Sequence, residues 1–117
     1  MAVRCDEDVR GVGVDFEPWR PEADLRVARF FLRPTELAAV TGAAPLMRLW
    51  TIKEALYKAT PDNGPCVLLD FALADPGGAC GHAVGPRGEA LRYAAIDVAG
   101  GHLAVAVCAL GRRHGPV

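Results

Sequence analysis

The segment from Leu46 to Ala59 constrains the fold most, because it has the length and periodicity of a helix that spans a hydrophobic core. Its apolar residues recur every three or four positions and form a broad arc on one side of a helix. Pro45 opens this helix, and Thr60-Pro61 ends it because a residue before proline avoids the helical region. The arc must be buried against other elements. It consists of Leu46, Leu49, Trp50, Ile52, Leu56, Tyr57 and Ala59.

Strand patterns flank this helix along the chain. Residues 2–5 and 10–17 predict two short strands before it, and the second alternates cleanly between apolar and small or acidic residues. The last two predicted strands form a hairpin through Ala99-Gly100-Gly101. The strands predicted after the helix are 66–74, 91–98 and 102–110, with a short strand at 79–84 inside an exposed loop at 75–89.

Two shorter helices are predicted between the first strands and the main helix. One runs from Pro21 to Leu32, and the other, from Thr35 to Val40, is closed by Gly42. The order of strands, helices and strands predicts an α+β fold with an antiparallel sheet packed against a long central helix. At 117 residues the chain is expected to form a single domain over 1–117.

Composition narrows the function classes. Apolar residues make up 51% and charged residues 23%, as in an ordinary folded globule, and the net charge of -1 gives no basis for a nucleic-acid partner. No apolar run approaches the roughly 20 residues of a membrane-spanning helix, and no signal-peptide pattern opens the chain. We therefore expect a cytoplasmic protein whose four cysteines are reduced thiols.

The strand at 11–17 carries two carboxylates at positions i and i+2. Alternation puts Val12, Val14 and Phe16 on one face, which we expect to be core, and puts Asp15 and Glu17 on the other. Glycines beside the acids are expected to leave room for a ligand, and a cation between the acids would keep both ionised. The alternative, favoured by this segment alone, is a strand end that reaches solvent. A dinucleotide-binding fingerprint is excluded because Phe16 stands where glycine is required.

The main helix carries both lysines of a chain that has eleven arginines and no serine. Glu54 and Lys58 lie one turn apart on its polar flank, which alone indicates an exposed pair worth roughly 0.2–0.5 kcal/mol. Lys53 falls inside the apolar arc, so its side chain must either extend outward along its stem or meet an anion. Compact ammonium groups suit phosphate oxygens, and the missing serine excludes serine-nucleophile chemistry by this chain itself.

The acidic strand, the segment from Arg29 to Glu36 and the lysine-bearing helix together resemble the 4′-phosphopantetheinyl transferase superfamily in their residue identities, their order and their separation. A later stretch, from Tyr93 to Cys108, resembles the closing strands of the surfactin-synthetase-activating type. The resemblance covers nearly the whole chain and implies the fold of that superfamily. The blocks that carry it are Gly11-Val-Gly-Val-Asp15-Phe-Glu17, Arg29-Phe30-Phe31 with Glu36, and Trp50-Thr-Ile-Lys53-Glu54-Ala-Leu-Tyr-Lys58.

The resemblance implies a magnesium-dependent transfer of 4′-phosphopantetheine from coenzyme A to a serine of an acyl or peptidyl carrier protein, with release of 3′,5′-ADP. By the resemblance, Asp15, Glu17 and Glu54 are the metal ligands, and Lys53 and Lys58 contact the phosphates. Glu54 is the expected general base, so Glu54, Lys58 and Asp15 form the expected catalytic set. Magnesium with a few carboxylates and substrate phosphates agrees with the ion's preferences.

Arg26, Arg29 and Arg33 form one stripe at spacings of three and four. Two interpretations of this stripe stay open: a dock for an acidic carrier helix or a coenzyme A phosphate, with Arg29 as the expected coenzyme-binding residue, and an ordinary solvated face. The three histidines, His82, His102 and His114, have no convergent partners in the sequence and receive no role.

The length of the chain is that of holo-acyl-carrier-protein synthase members. Members of the surfactin-synthetase-activating type consist of two similar halves in one chain, and this sequence resembles only the second half. We therefore expect a homo-oligomer, with a trimer favoured over a dimer and a site shared across an interface. A different class of function is a non-catalytic module that binds coenzyme A or a carrier within a larger assembly. A third is a magnesium-dependent hydrolase of diphosphates.

Overall fold

The computed structural model describes residues 9–109 and has an α+β architecture, as predicted. One antiparallel sheet has five strands in the order β1-β5-β4-β3-β2. The single helix longer than two turns among the described residues packs on one face of that sheet. The elements are β1 (Val9–Pro18), a 3-10 helix (Leu25–Phe30), α1 (Pro34–Leu37), α2 (Ala43–Ala59), a second 3-10 helix (Leu68–Asp70), β2 (Ala72–Leu73), β3 (Cys80–Val84), β4 (Ala90–Val98) and β5 (Gly101–Ala109).

The sheet joins the two ends of the described chain. β1 pairs with β5, so that Asp15 lies opposite Ala104 and Glu17 opposite His102. The predicted hairpin is confirmed: β4 and β5 pair from Ala90 to Ala109 around a turn at 99–100. Gly100 has a φ of 86°, a left-handed conformation that glycine adopts without steric cost.

Helix α2 lies across β1, β5 and β4 and brings the core together. It begins three residues before the predicted start, since a proline at position 45 is tolerated within the first turn, and it ends at Ala59 as predicted. Trp50 and Tyr57 are only partly buried at the edge of the core. The large apolar side chains that are almost fully buried are Leu32, Leu46, Leu49, Ile52, Leu56, Phe71 and Leu91.

The glycines of β1 serve the helix and not a ligand, which corrects the expectation from sequence. A Cβ atom at Gly11 would collide with the carbonyl oxygen of Ala59, and one at Gly13 with that of Ala55. Strand and helix backbones therefore approach more closely than side chains would allow. This approach fixes which residues of α2 lie beside the acidic face of β1.

The faces of β1 are also the reverse of the prediction. Gly13 and Asp15 are buried towards α2, whereas Val12, Val14 and Phe16 are exposed on the opposite face. Alternation determines which residues share a face, but it does not determine which face another element covers. Here the helix covers the glycine-bearing face, because only that face admits its backbone.

Three predicted elements differ in the structure. The helix expected from Pro21 to Leu32 is a turn followed by the 3-10 helix Leu25–Phe30, because the Asp24 side chain accepts a hydrogen bond from Arg26 N at 2.9 Å and starts the helix there. The second helix spans only Pro34–Leu37 instead of Thr35–Val40.

The strand predicted at 66–74 is mostly turns, with only Ala72–Leu73 in the sheet. The reason is that its backbone groups are used elsewhere: Val67 N donates to Asp70 Oδ2 at 2.9 Å, and the carbonyls of Leu68 and Phe71 accept from Lys53. The short strand predicted at 79–84 is confirmed as β3. The strand predicted at 2–5 lies outside the described residues. None of the helices within 9–109 has the length and apolar character needed to cross a membrane.

Candidate active site

β1 and α2 bring together four of the predicted site residues from positions about forty residues apart. Asp15 is buried under the helix, and its Oδ1 accepts a hydrogen bond from Lys58 Nζ at 2.7 Å. The same ammonium lies 3.4 Å from the carbonyl oxygen of Val14. Glu54 precedes Lys58 by one turn and therefore projects from the same side of α2. We call this group, Asp15, Glu17, Glu54 and Lys58, the seam cluster.

Asp15 is only half satisfied. Its second carboxylate oxygen, Oδ2, is buried and has no hydrogen-bond partner among residues 9–109. A buried carboxylate oxygen without a donor is destabilising, and native proteins rarely leave one without a functional reason. This atom marks a position that attracts a cation or a proton donor.

Glu17 and Glu54 share the electrostatic field of Asp15. Burial raises the pKa of Glu17, and its contact with Asp15 raises it further, while the Trp50 side chain opposes the shift. Burial also raises the pKa of Glu54, with added repulsion from Asp15 and partial relief from Lys58. Hydrogen bonding to Asp15 raises the pKa of Lys58 against its loss of hydration. The seam cluster therefore has more negative charge than its single ammonium neutralises.

The donor set suits magnesium in chemical type, because carboxylate oxygens are the ligands that this hard cation prefers. Among residues 9–109, however, no three acidic, histidine or cysteine side chains converge as a ready metal centre. In the present arrangement Lys58 holds one oxygen of Asp15, and Oδ2 is the oxygen left for an ion. The orphaned oxygen and the mutual repulsion of the acids both fit a position that binds a cation.

Two grooves run along either side of Trp50, next to the acids. One, of about 420 Å³, has Glu54 in its wall among apolar side chains. The other, of about 470 Å³, has Glu17 and Arg20 at its edge. Trp50 stands between them and packs edge-on against Phe31, with ring centroids 5.0 Å apart. The acids thus border concave surface large enough for part of a small molecule.

Lys53 does not join the seam cluster. Lys58 lies five positions further along the helix, so the two side chains leave the axis about 140° apart. Lys53 is fully buried, and its ammonium lies 2.9 Å from Glu36 Oε1 and donates to the carbonyl of Phe71. Burial lowers its pKa, and Glu36 opposes that shift. The prediction that Lys53 contacts phosphate does not fit this placement, because the side chain has no exposed surface to offer a ligand.

Glu36 is the anion that the pattern around Lys53 required. Beyond the ion pair, its carboxylate accepts hydrogen bonds from Arg33 N at 2.7 Å and from Leu73 N at 2.8 Å. The fully buried pair therefore ties α1, α2 and β2 together. Sequence reasoning quoted Glu36 only within the resemblance, although a lysine inside an apolar arc already called for a buried acid.

The arginine stripe, Arg26, Arg29 and Arg33, lies on the surface. Arg26 forms an exposed ion pair with Asp24 at 3.0 Å, and Arg33 donates to the carbonyl of Asp70 at 3.3 Å. Arg29 lies over the ring of Phe30, 5.2 Å from its centroid. Phe30 lines the groove that contains Glu54, so Arg29 stands at the rim of that groove. Its role as a coenzyme-binding residue stays a prediction.

His102 is a residue that sequence reasoning missed. Its buried ring lies 2.9 Å from Asp97 through Nδ1 and 6.0 Å from the Trp19 ring, between centroids. It also faces Glu17 across the β1–β5 ladder. These neighbours are not placed beside His102 by a helical repeat or by a sequence motif. Only the pairing of the strands brings them together.

Together these features define an α+β domain with an acidic, lysine-containing site at a strand–helix junction. The family model of the 4′-phosphopantetheinyl transferase superfamily matches residues 11–104, which include all four residues of the seam cluster. The chain belongs to this superfamily, and membership supports a phosphopantetheinyl transferase activity in general terms. No curated protein and no solved structure matches the chain significantly.

Proposed function

We propose that this protein transfers the 4′-phosphopantetheine group of coenzyme A to a serine hydroxyl of an apo acyl or peptidyl carrier protein, in the manner of a holo-acyl-carrier-protein synthase. The single observation that supports this most is the seam cluster, where a buried and half-satisfied Asp15 meets Lys58 beside Glu17 and Glu54. Such a cluster suits phosphoryl transfer, which requires charge neutralisation and alignment more than covalent chemistry from the protein.

The reaction balances without further reactants. The serine oxygen forms a bond to the phosphorus nearer the pantetheine, and the bond from that phosphorus to the bridging oxygen breaks, so 3′,5′-ADP leaves with the electron pair. Glu54 accepts the serine proton, for which its raised pKa suits it better than an ordinary carboxylate. Lys58 is positioned to offset negative charge that develops on the phosphates.

Asp15, Glu17 and Glu54 are the residues that would hold magnesium. When bound, the ion would supply charge neutralisation and alignment for the diphosphate of coenzyme A. Lys58 would then be released from Asp15 to contact phosphate oxygens, and its partly exposed side chain permits that movement. Arg29, at the rim of the Glu54 groove, is the proposed contact for a further coenzyme A phosphate.

The remaining parts of the proposal concern the whole molecule. Residues 1–117 would act as a single cytoplasmic domain with the phosphopantetheinyl transferase fold, in which α2 is the long central helix. The protein would assemble as a homo-oligomer, a trimer rather than a dimer, with the nucleotide end of coenzyme A held in part by a neighbouring copy.

A second candidate function is a non-catalytic module that binds coenzyme A or a carrier. The observation that favours it is the lack of a converged three-carboxylate centre among residues 9–109, together with the engagement of Lys58 by Asp15. In that case the grooves beside Trp50 would bind coenzyme A without turnover.

Intact-mass measurement of carrier proteins tests the proposal. Purified protein is incubated with magnesium, coenzyme A and several apo carriers, alongside Glu54→Ala and the matched surface control Glu22→Ala. We expect a mass gain equal to the arm for wild type and the control, and none for Glu54→Ala. Unmodified carriers with measurable coenzyme A binding would instead establish the module. Cleavage of coenzyme A without carrier modification would establish a hydrolase.

A further inference from the structure

The turn between β3 and β4, at 85–89, carries an arginine that the proposed mechanism does not use. Backbone hydrogen bonds close the turn, from Gly85 N to Glu89 O at 3.0 Å and from Gly88 N to Gly85 O at 3.1 Å. Gly88 has a φ of 84°, in the left-handed region that glycine adopts without steric cost. The turn therefore holds the backbone of Arg87 in one place.

The Glu89 carboxylate fixes the direction of the Arg87 side chain. Its Oε1 accepts a hydrogen bond from the Arg87 backbone N–H at 2.8 Å, and its Oε2 lies 3.1 Å from the guanidinium. A Cβ atom at Gly85 would collide with this carboxylate, so glycine at that position makes room for it. Because the carboxylate is also held at the backbone, less side-chain entropy opposes this pair than opposes an ordinary surface ion pair.

Arg87 reaches from this turn to the loop at 61–66, which follows α2. Its Nη2 donates to the carbonyl oxygens of Pro61 at 2.8 Å and of Asp62 at 3.3 Å, and its Nη1 donates to Cys66 Sγ at 3.8 Å. The planar guanidinium offers several donors in a fixed fork, which suits three acceptors within one loop. Hydrogen bonds from a charged donor are also stronger than neutral ones. Arg87 thereby ties the loop to the sheet.

The loop needs this support because one of its residues has an unfavourable backbone conformation. Asp62 has a φ of 55°, in the left-handed region, which costs free energy for a residue with a Cβ. Such conformations persist where surrounding contacts hold them. The two carbonyls that Arg87 binds belong to Asp62 and to the residue before it. The contact therefore stabilises the conformation that directs the chain away from α2.

Residues 66–68 follow the loop and line the groove that also contains Glu54. We call residues 66–68 the groove wall. At one end of the wall, the carbonyl oxygen of Leu68 accepts a hydrogen bond from the buried Lys53 at 3.4 Å. At the other end, Arg87 holds the loop that leads into the wall. The groove wall is thus anchored once by the core and once by the turn between β3 and β4.

We infer that Arg87 is a positioning residue for the transfer reaction, because it holds the groove wall in place beside Glu54. The inference rests on the proposed function, in which Glu54 accepts the serine proton and the carrier segment around that serine enters this groove. A wall of fixed shape contributes equally to binding in the ground state and in the transition state. Its loss therefore raises KM for the carrier and changes kcat little. Arg87 acts through the wall and does not contact the reacting atoms.

Steady-state kinetics of carrier modification test the inference with charge-matched variants. We expect Arg87→Ala to raise KM for the carrier about tenfold and to leave kcat and KM for coenzyme A within about twofold of wild type. The control is Arg10→Ala, which removes an exposed arginine of β1 and should behave like wild type. A merely structural role would lower the amount of active protein, and so kcat, without a selective change in KM for the carrier.

Arg87→Lys separates positioning from simple attraction of an acidic carrier. Lysine retains the charge but lacks the planar fork that binds the loop carbonyls and the thiol together, so we expect KM for the carrier to stay raised by about threefold or more. Full recovery of the wild-type KM in Arg87→Lys would show that charge alone matters and would overturn the inference. A wild-type KM in folded Arg87→Ala would also overturn it. If Arg87→Ala does not fold, Arg87→Lys decides the question.

Thiol labelling tests the groove wall without substrate. Cys66 is 8% exposed in the wall, whereas Cys80 is exposed on β3 and serves as the internal reference. We expect iodoacetamide to modify Cys66 about tenfold faster in Arg87→Ala than in wild type, because the wall opens locally, and Cys80 at an unchanged rate. Peptide mass spectrometry measures both rates. A nearby cation favours the reactive thiolate form of a cysteine, so loss of the cation alone would slow the labelling.

The labelling result also keeps two kinds of failure apart. Equal labelling of Cys66 in wild type and in folded Arg87→Ala would overturn the inference, whether or not a carrier is modified. A wild type that modifies no carrier would overturn the proposed function and, with it, the role of Arg87 in transfer. Faster labelling in that case would still show that Arg87 holds the groove wall.

Discussion

Two lysines on the same helix meet carboxylates in opposite settings. Lys53 is sealed with Glu36 in the core, and neither side chain has any exposed surface. Lys58 reaches Asp15 from a half-exposed position, and the other oxygen of Asp15 has no hydrogen-bond partner in the part of the chain that the structure describes. The first pair is complete, since Glu36 also accepts two backbone N–H groups. The second pair is incomplete and lies beside two further acids.

The difference separates a structural ion pair from a candidate binding site. A fully hydrogen-bonded buried pair connects elements, but it offers nothing to a ligand. A pair with an orphaned oxygen, excess negative charge and adjoining grooves has unused binding capacity. Residue type alone did not make this distinction, because the resemblance implied phosphate contacts for both lysines.

The largest effect is expected from breaking the Lys53 pair. Lys53→Met leaves the Glu36 carboxylate buried without its cation, and we expect a loss of about 3–5 kcal/mol in the free energy of unfolding. Chemical denaturation measures this loss. The double variant Glu36→Gln/Lys53→Met removes both charges and should recover most of the stability. Equal losses in the single and double variants would show that the ion pair is not the cause.

Breaking the Lys58 pair should lower activity strongly and stability only slightly. We expect Lys58→Ala to lower the rate of carrier modification by about 100-fold, because the ammonium would no longer offset phosphate charge. The free energy of unfolding should fall by only about 1 kcal/mol, since water can reach this position. Steady-state kinetics and denaturation on the same preparation measure both quantities. A stability loss as large as that of Lys53→Met would remove the contrast.

Gly13→Ala tests whether the site depends on the close packing of α2 against β1. The added Cβ would collide with the Ala55 carbonyl and push α2 away from β1. We expect a destabilisation of about 1–3 kcal/mol and a loss of activity that is larger than this destabilisation alone explains. The matched control is Gly64→Ala, where nothing lies within 4 Å of an added Cβ. Wild-type activity in a folded Gly13→Ala protein would show that close packing of β1 and α2 is not required.

The smallest expected effect is the change in folding stability with pH. The pKa values of Glu17 and Glu54 are raised in the folded protein, so in this pH range the folded state binds more protons than the unfolded state. Without divalent ions, stability should therefore rise slightly as the pH falls from neutral towards the ordinary carboxyl range. Stabilisation by magnesium should shrink over the same range, because protons compete with the ion. Thermal melts at several pH values, with and without magnesium, measure both trends.

Sequence predicted much of the fold because several signals agreed. The C-terminal end of α2, the β4–β5 hairpin and strand β3 follow from periodicity and turn residues. The sequence did not reveal that α2 covers the glycine face of β1, because alternation is symmetric between the faces of a strand. Nor did it place the segment at 66–74, whose carbonyls are taken by a lysine fifteen or more residues away.

The site was predictable to a similar degree. Asp15, Glu54 and Lys58 were expected together and lie at one seam. Lys53 was assigned to the same site because its motif position carried more weight than its place within the apolar arc. His102 was not identified, because its neighbours come from strand pairing and not from spacing along the chain.

Calorimetric titration of magnesium in the presence of coenzyme A tests the central claim most directly. The account predicts that wild type binds the ion, that Glu36→Gln/Lys53→Met binds it about as tightly, and that Asp15→Asn loses at least tenfold in affinity, because an amide cannot supply the carboxylate's charge. Unchanged magnesium affinity in a folded Asp15→Asn protein would contradict the claim that the seam cluster holds the ion.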